Sequence, residues 1–329
     1  MKKTLYLFAI IAFTFACSAP KEEAETTTEP EEESIYSYTG NFEMGDPANQ
    51  QLVRDINAAF VAGDMEALAS MMADSLTFYW ADGSVYSNVK DSAMAMISGY
   101  RSSLTSVDVV HLAGMAINSK DHDHNWSLSW TMETHTSEEG SQMAVYAESW
   151  LIEDGKARAM RQYKQIPNQA DAPDGNEPEE EVEYTYSGSF KLGDPALVDG
   201  VIALNEGVAT PVNYDAIAAN FADSVTIIGH DGWYFNGSRD SLMTLIQEWL
   251  PQFTSITNNY IASVSVTSHL EDDWVLLWYE SKSEKNDGTI EEGTYHDDYL
   301  MVDGKIRLIR GYMRGDWKKP EAEESETES

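Results

Sequence analysis

Tyr36-Ser37-Tyr38-Thr39-Gly40-Asn41-Phe42-Glu43-Met44-Gly45-Asp46-Pro47 is written again, with conservative changes, as Tyr184-Thr185-Tyr186-Ser187-Gly188-Ser189-Phe190-Lys191-Leu192-Gly193-Asp194-Pro195. The offset of 148 holds to within one residue through the rest of each half. Ala73-Asp74-Ser75 returns as Ala222-Asp223-Ser224, and Asp82-Gly83 as Asp231-Gly232. Trp126 and Trp130 return as Trp274 and Trp278, Asp154-Gly155-Lys156 as Asp303-Gly304-Lys305, and Arg161-x-Tyr163 as Arg310-x-Tyr312. A period this long marks a duplicated domain, since solenoid repeats run about 20–50 residues.

Within the first copy, Phe42 and Met44 continue the even spacing of Tyr36 and Tyr38, as on one face of an extended segment. Asp46-Pro47 reads as N-cap and first residue of a helix to about Val61, with Leu52, Val53, Ile56 and Phe60 on one side. Gly63-Asp64 breaks it, and a short helix follows with Met65, Leu68, Met71 and Met72 as its apolar stripe. Leu76, Phe78 and Trp80 alternate as a strand, Asp82-Gly83 turns, and Val85-Tyr86 begins the return. Asp91 is expected to cap a third helix carrying Met94, Ile97 and Leu104. Strands are expected at 106–118, 125–136, 142–152 and 156–165. The second copy repeats the order, with helices at about 195–209, 214–222 and 240–253 and strands at 224–229, 255–267, 274–283, 292–301 and 305–313. Helices first and long antiparallel strands afterwards is an α+β layout.

A helix, a Gly-Asp break, a short helix ending Met71-Met72-Ala73-Asp74-Ser75, an aromatic strand, a third helix and strands closing on Leu151-Ile152-Glu153-Asp154-Gly155-Lys156 together resemble the NTF2-like, or SnoaL-like, superfamily. The second copy matches with Asn220-Phe221-Ala222-Asp223-Ser224 and Met301-Val302-Asp303-Gly304-Lys305. The resemblance implies two tandem domains, each a curved antiparallel sheet wrapped around N-terminal helices as a cone-shaped half-barrel with a pocket inside. It also implies a choice of roles, because such proteins include isomerases, cyclases and hydrolases beside non-catalytic binding and dimerisation modules. Dimerisation through the open sheet face further implies that the two halves pack on each other as an intramolecular pseudo-dimer.

At the amino end, Lys2 and Lys3 precede an apolar run, Leu5 to Phe15, too short to span a bilayer core that needs about 20 residues. Thr14-Phe15-Ala16-Cys17 resembles a lipobox, and Cys17 is the only cysteine. The segment 1–17 is therefore read as a lipoprotein signal peptide with lipidated Cys17, giving a membrane partner through the lipid anchor. Ser18 looks like an outer-membrane address, and Lys21-Glu22-Glu23 is similar to the acidic tag that sends some lipoproteins to the cell surface. The formal charge of −35 becomes −37 without Lys2 and Lys3. Residues 18–33 hold seven Glu and one Lys, and 168–183 hold seven acids and no base. Such composition buries too little apolar surface to offset chain entropy. The division expected is thus an acidic tether at 18–35, a domain at 36–166, an acidic linker at 167–183, a domain at 184–317 and an acidic tail at 318–329. A field this negative disfavours nucleic acid as a partner.

The candidate site comes from the last hairpin of each copy. Asp154-Gly155 is a two-residue type I′ signal, so Glu153 pairs with Lys156 and partner numbers sum to 309. That register puts Trp150 opposite Ala159, Glu148 opposite Arg161 and Tyr146 opposite Tyr163. In the second copy the sum is 607, with Asp297 facing Arg310, Tyr295 facing Tyr312 and Tyr299 facing Leu308. An acid–arginine pair beside paired tyrosines recurs, with Trp130 and Trp278 as core or pocket wall. The functional reading is ligand binding, with arginine holding an anionic or carbonyl group; the structural one is a cross-strand decoration of the sheet. An arginine opposite depresses a carboxylate pKa, which counts against Glu148 or Asp297 as a general base. His111, His135 and His230 align with Tyr260, Ser283 and Ala81, so none is a shared feature, although His230 with Asp231 and Trp233 leaves room for a site private to the second copy. Asp121-His122-Asp123-His124 falls where a polar hairpin loop is expected, and no metal or cofactor is called for. The function expected is non-catalytic binding of a small hydrophobic or anionic ligand or a partner. The alternative is a SnoaL-like enzyme, marked by a pocket carboxylate that is desolvated and free of arginine.

Overall fold

A computed structural model describes residues 41–167 and 189–315. Cys17, the tether, the tail, most of the linker and the opening tyrosines of each copy lie outside them. The first half runs β1 (Phe42–Met44), α1 (Pro47–Ala62), α2 (Met65–Ser70), β2 (Met72–Tyr79), β3 (Val85–Val89), α3 (Lys90–Ser103), β4 (Ser106–Ser119), β5 (His124–Ser137), β6 (Gly140–Glu153) and β7 (Lys156–Gln165). The second runs β8 (Lys191–Leu192), α4 (Ala196–Val208), α5 (Tyr214–Asn220), β9 (Phe221–Ile228), β10 (Tyr234–Ser238), α6 (Arg239–Trp249), a 3₁₀ turn at Leu250–Gln252, β11 (Phe253–Thr267), β12 (Asp273–Lys285), β13 (Ile290–Val302) and β14 (Lys305–Arg314). This is an α+β chain with a large, mainly antiparallel sheet and few helices.

Local chemistry accounts for the helix ends. Asp46 caps α1 by accepting from the Ala48 amide at 2.9 Å, and Gly63 ends it at φ 72°, a left-handed conformation open to glycine. Asp64 caps α2 through the Ala67 amide at 3.0 Å. Several expected element ends shift. Met71 and Met72 do not extend α2, because the Met71 carbonyl accepts from Ala157 at 2.9 Å and Met72 pairs with Ala157 in a parallel ladder. The strand β2 therefore starts at Met72 rather than Leu76, and α5 likewise stops at Asn220 before β9. Asp91 is not the cap of α3 but lies in its first turn, where a negative charge suits the helix dipole. Leu104 ends α3 instead of continuing it.

Strand order in the first half is β1-β4-β5-β6-β7, with β2 parallel to β7 and β3 antiparallel to β2. The second half mirrors this as β8-β11-β12-β13-β14, with β9 parallel to β14 and β10 beside β9. The two ladders meet at one pair, Lys164 with Met313. Helices cover one face of each sheet. Val53, Ile56, Leu68, Phe78, Ile97 and Trp150 form that core in the first half, and Val201, Ile217, Leu242, Leu277 and Tyr299 in the second. The opposite faces share one buried cluster drawn from both halves, including Trp130, Leu128 and Tyr163 with Trp278, Leu276 and Tyr312.

Two hydrogen bonds across the halves are related by the repeat. Ile166 N donates to His230 O at 2.8 Å, and Gly315 N donates to Ala81 O at 3.1 Å. Both members of the second pair stand 149 positions from their counterparts, Gly315 from Ile166 and His230 from Ala81. A contact in which i meets j and the copy of i meets the copy of j is the signature of a two-fold arrangement.

The register of the last hairpins corrects the sequence reading. Asp154 and Gly155 have φ 50° and 70°, as a type I′ turn requires, and Glu153–Lys156 and Ile152–Ala157 pair as expected. A bulge then inserts Arg158, so Leu151 faces Ala159, Trp150 faces Met160, Ser149 faces Arg161, Glu148 faces Gln162, Ala147 faces Tyr163 and Tyr146 faces Lys164. The second hairpin bulges equivalently at Arg307. Leu300 faces Leu308, Tyr299 faces Ile309, Asp298 faces Arg310, Asp297 faces Gly311, His296 faces Tyr312 and Tyr295 faces Met313. A one-residue bulge turns every later side chain to the other face. Neither Glu148–Arg161 nor Asp297–Arg310 exists as a facing pair, and neither tyrosine pair forms.

Candidate functional site

The bulges sort the predicted residues into three places. Tyr146, Glu148 and Trp150 point toward the helices and line a cavity of about 690 Å³ in the first half. Tyr295, Asp297 and Tyr299 hold the corresponding side of the second half. Arg161, Tyr163 and Trp278 line a small void of about 40 Å³ between the sheets, and Arg310, Tyr312 and Trp130 line one of about 70 Å³. These two voids are copies of each other, each taking an arginine and tyrosine from one half and a tryptophan from the other. Both tryptophans are thus core residues of the face shared by the sheets.

The large cavity is walled by Phe60 of α1, Leu68 of α2, Phe78 and Trp80 at β2, Ile97 and Tyr100 of α3, and Met160 of β7. Its volume falls within the range of small-molecule sites. Glu148, 4% exposed, has both oxygens engaged, Oε2 by Trp150 Nε1 and Oε1 by Gln162 Nε2, each at 2.9 Å. Burial pushes its pKa up to about 7, and the nearby charge of Glu133 adds to the rise, while the Gln162 and Trp150 hydrogen bonds oppose it. Among the described residues, no arginine lines the cavity. The argument against Glu148 as an acid–base group therefore falls with the register that produced it.

Glu133 and His135 of β5 join the same wall. Thr131 Oγ1 donates to Glu133 Oε1 at 2.9 Å, and His135 Nε2 lies 2.9 Å from Glu133 Oε2. Tyr100 Oη lies 2.7 Å from His135 Nδ1. With the proton on Nε2, His135 donates to Glu133 and accepts from Tyr100, whose residue is half exposed at 50%. A hydrogen-bonded path thus leads from a buried carboxylate (8% exposed) to the surface. Burial, with Glu133 nearby, also raises the Tyr100 and Tyr146 hydroxyls. Asn57 of α1 presents a buried Nδ2 that has no hydrogen-bond partner among the described residues.

Glu133, His135, Gln162 and Asn57 were not singled out by sequence reasoning, which discarded His135 because its counterpart is Ser283. The usable signal was parity. Thr131 faces Tyr146 and Ser129 faces Glu148, so Glu133 and His135, two and four residues past Thr131, share the Glu148 face.

The second half diverges at the same spot. Tyr279, standing where Thr131 stands in the first, donates to Asp297 Oδ2 at 2.9 Å, and Tyr299 donates to it at 3.1 Å. Asn205, the counterpart of Asn57, donates to Tyr299 Oη at 3.1 Å. Burial raises the Asp297 pKa to about 6 against those hydrogen bonds. The ring of Tyr279 stacks on Tyr295 at 5.3 Å. The amide left without a partner in the first half, Asn57 Nδ2, thus has a bonded counterpart in the second. Asp231 caps its own turn through Trp233 N at 2.9 Å, and His230, which lies near the Asp231 charge, lines the first-half cavity. Among the described residues no group of three or more His, Cys, Asp or Glu is arranged to hold a metal, and no helix is long and apolar enough to cross a membrane.

No protein-family model matches the chain, and no curated protein does. Similar solved structures are NTF2-like and SnoaL-like proteins. An LEH-like epoxide hydrolase from M. tuberculosis is 11% identical, with a TM-score of 0.32, over 36% of this chain and 83% of that one. A SnoaL-like polyketide cyclase, so described, from Jannaschia sp. CCS1 is 12% identical, with a TM-score of 0.31, over 37% and 89%. An NTF2-like protein of unknown function from Exiguobacterium sp. 255-15 is 17% identical, with a TM-score of 0.30, over 36% and 97%.

Proposed function

We propose that the first half is an acid–base enzyme acting on a small, largely apolar molecule, and that Glu148 transfers the proton. The observation that carries this is Glu148 itself: a buried, arginine-free carboxylate on a 690 Å³ cavity with a pKa near 7. A general acid or base works best when its pKa lies near the working pH. Asn57 supports the same reading as a donor ready for a substrate carbonyl or ether oxygen. Beside it, Glu133, His135 and Tyr100 form a separate hydrogen-bonded path to the surface. The second half's own carboxylate, Asp297, is held by two tyrosines and serves as structure.

The test uses three probes with the full chain: α-hydrogen exchange of 2-tetralone in D₂O, opening of indene oxide and hydrolysis of dihydrocoumarin. At least one should be accelerated, should follow an ionisation near pH 7, and should slow by about 100-fold in Glu148→Gln, the lower end for general acid–base catalysis. Equal rates for wild type and Glu148→Gln on all three would leave the non-catalytic binding module as the better reading.

The chain is further proposed to be an outer-membrane lipoprotein anchored through Cys17, on the strength of Lys2, Lys3, the apolar run and the lone cysteine. Incorporation of labelled palmitate, absent in Cys17→Ser, is the expected result. The two halves are proposed to form an intramolecular pseudo-dimer, supported by their shared apolar cluster and reciprocal hydrogen bonds. An interdomain distance that varies with salt in small-angle scattering would argue against it.

A further inference from the structure

Among the described residues, Lys164 is the only lysine or arginine on the cavity wall. It is half-buried, and among those residues it forms no ion pair. Of the other described lysines, Lys90, Lys120, Lys191, Lys282 and Lys285 pair with Asp74, Glu43, Glu271, Glu292 and Glu291, and Lys305 donates to the Ala219 carbonyl at 2.8 Å. The carboxylates of the cavity are engaged by other groups. Glu133 is held by Thr131 and His135, Glu148 by Trp150 and Gln162, and Asp82 by the Ser84 amide and hydroxyl. A lysine can lay its apolar stem along a cavity wall and keep its ammonium available to a ligand.

His230 reaches the same wall from the other half. Its carbonyl accepts from Ile166 N, two residues beyond Lys164, and its ring meets Tyr295 edge-on at 5.6 Å. Lys164 is bridged to Met313, which also lines the cavity. The second half therefore walls the first half's cavity beside Lys164.

We propose that the ligand of this cavity carries an anionic group, held by the ammonium of Lys164 and the imidazole of His230, so that the second half completes the binding site of the first. This rests on the reading of the cavity as the working site and adds the ligand class. Along β7, Lys164 lies two residues, or about 7 Å, beyond Gln162, which holds Glu148. The substrate class is thus an apolar molecule with a carboxylate, or a similar anion, a few bonds from the atom that Glu148 protonates or deprotonates. The strong negative field of the whole chain is screened within about 8 Å at physiological salt, so a local cation can still select an anion.

The experiment measures calorimetric binding of three matched probes to the full chain: 2-naphthylacetate, 2-(2-naphthyl)ethanol and 2-(2-naphthyl)ethylammonium. The acetate should bind at least tenfold tighter than the alcohol. Lys164→Met and Lys164→Gln should remove that preference while leaving alcohol binding, and His230→Ala should weaken the acetate alone by about threefold to fivefold. An acetate that binds no better than the alcohol, a preference that survives both Lys164 variants, or a preference for the ammonium overturns the proposal but leaves the cavity as a binding site. Absence of binding by all three probes overturns the cavity reading as well.

Discussion

Replacing Glu148 with Gln should make the chain more stable at alkaline pH and less stable in acid. Its carboxyl is raised from 4.5 to about 7 in the folded chain, whereas the unfolded chain ionises it near the ordinary value. Between about pH 4.5 and 7 the folded state holds a proton that the unfolded state releases, so stability falls as pH rises through that window and stays lower above it. At 1.36 kcal/mol per pH unit the loss is about 3 kcal/mol. The glutamine of the variant has no charge to desolvate and escapes this loss. It also carries an amide that cannot accept from both Trp150 and Gln162, a pH-independent deficit of about 1 kcal/mol. Wild type should therefore lead slightly in acid, and Glu148→Gln by about 2 kcal/mol above pH 8. Urea unfolding of both proteins at pH 5 and 8.5, followed by tryptophan fluorescence, measures the difference while avoiding the sequence pI of about 4.3. A difference that moves by less than about 0.5 kcal/mol between the two pH values would refute the reasoning, because it would mean that Glu148 ionises as a solvated carboxylate does.

Asp297→Asn should show the same sign over a lower window, about pH 4 to 6, since burial raises that group from 3.8 to about 6; a flat difference in the same urea series would contradict it. Thr131→Tyr should copy the Tyr279 arrangement, setting a hydroxyl toward Glu148 and lowering naphthalene-probe affinity at least tenfold with little change in melting temperature. Unaltered affinity would show that the cavity is not where the probes bind. Deleting Arg158 should remove the bulge and turn Ala159, Arg161 and Tyr163 out of the shared core, at a loss above about 3 kcal/mol; a melting temperature within two degrees of wild type would refute the register argument. Trp278→Ala should lose about 3–5 kcal/mol, because its ring is buried among residues of both halves, and a loss below about 1 kcal/mol in urea unfolding would show that the ring is not part of a shared core.

Much of this architecture was legible because it depends on local chemistry. Asp46 before Pro47, Gly63 after Ala62 and the Asp-Gly turns each have one low-energy use, and the structure uses them so. The long strands followed from alternation, and their ends fell within a few residues of expectation. The bulges were not legible. Arg158 and Arg307 are ordinary strand residues, and nothing in Lys156-Ala157-Arg158-Ala159 marks one of them as extra. The bulge is set by partners far away in sequence, since β7 must satisfy β6 on one side and a parallel β2 on the other, with the β2–β7 register itself interrupted between Met72 and Thr77. Correct turn chemistry thus gave correct pairing for two residue pairs and the wrong face for the rest.

The duplication also has to be read in the opposite sense from the obvious one. Residues kept in both halves, Arg161 with Arg310, Tyr163 with Tyr312 and Trp130 with Trp278, line the two small voids where the halves meet. A site does not need to be kept twice. Glu133, His135 and Gln162 give way to Ser281, Ser283 and Gly311, and Thr131 gives way to Tyr279, whose hydroxyl holds the second carboxylate. Several cavity residues, Glu133, His135 and Gln162 among them, thus appear once, and His230, whose counterpart is Ala81, lines the other half's cavity.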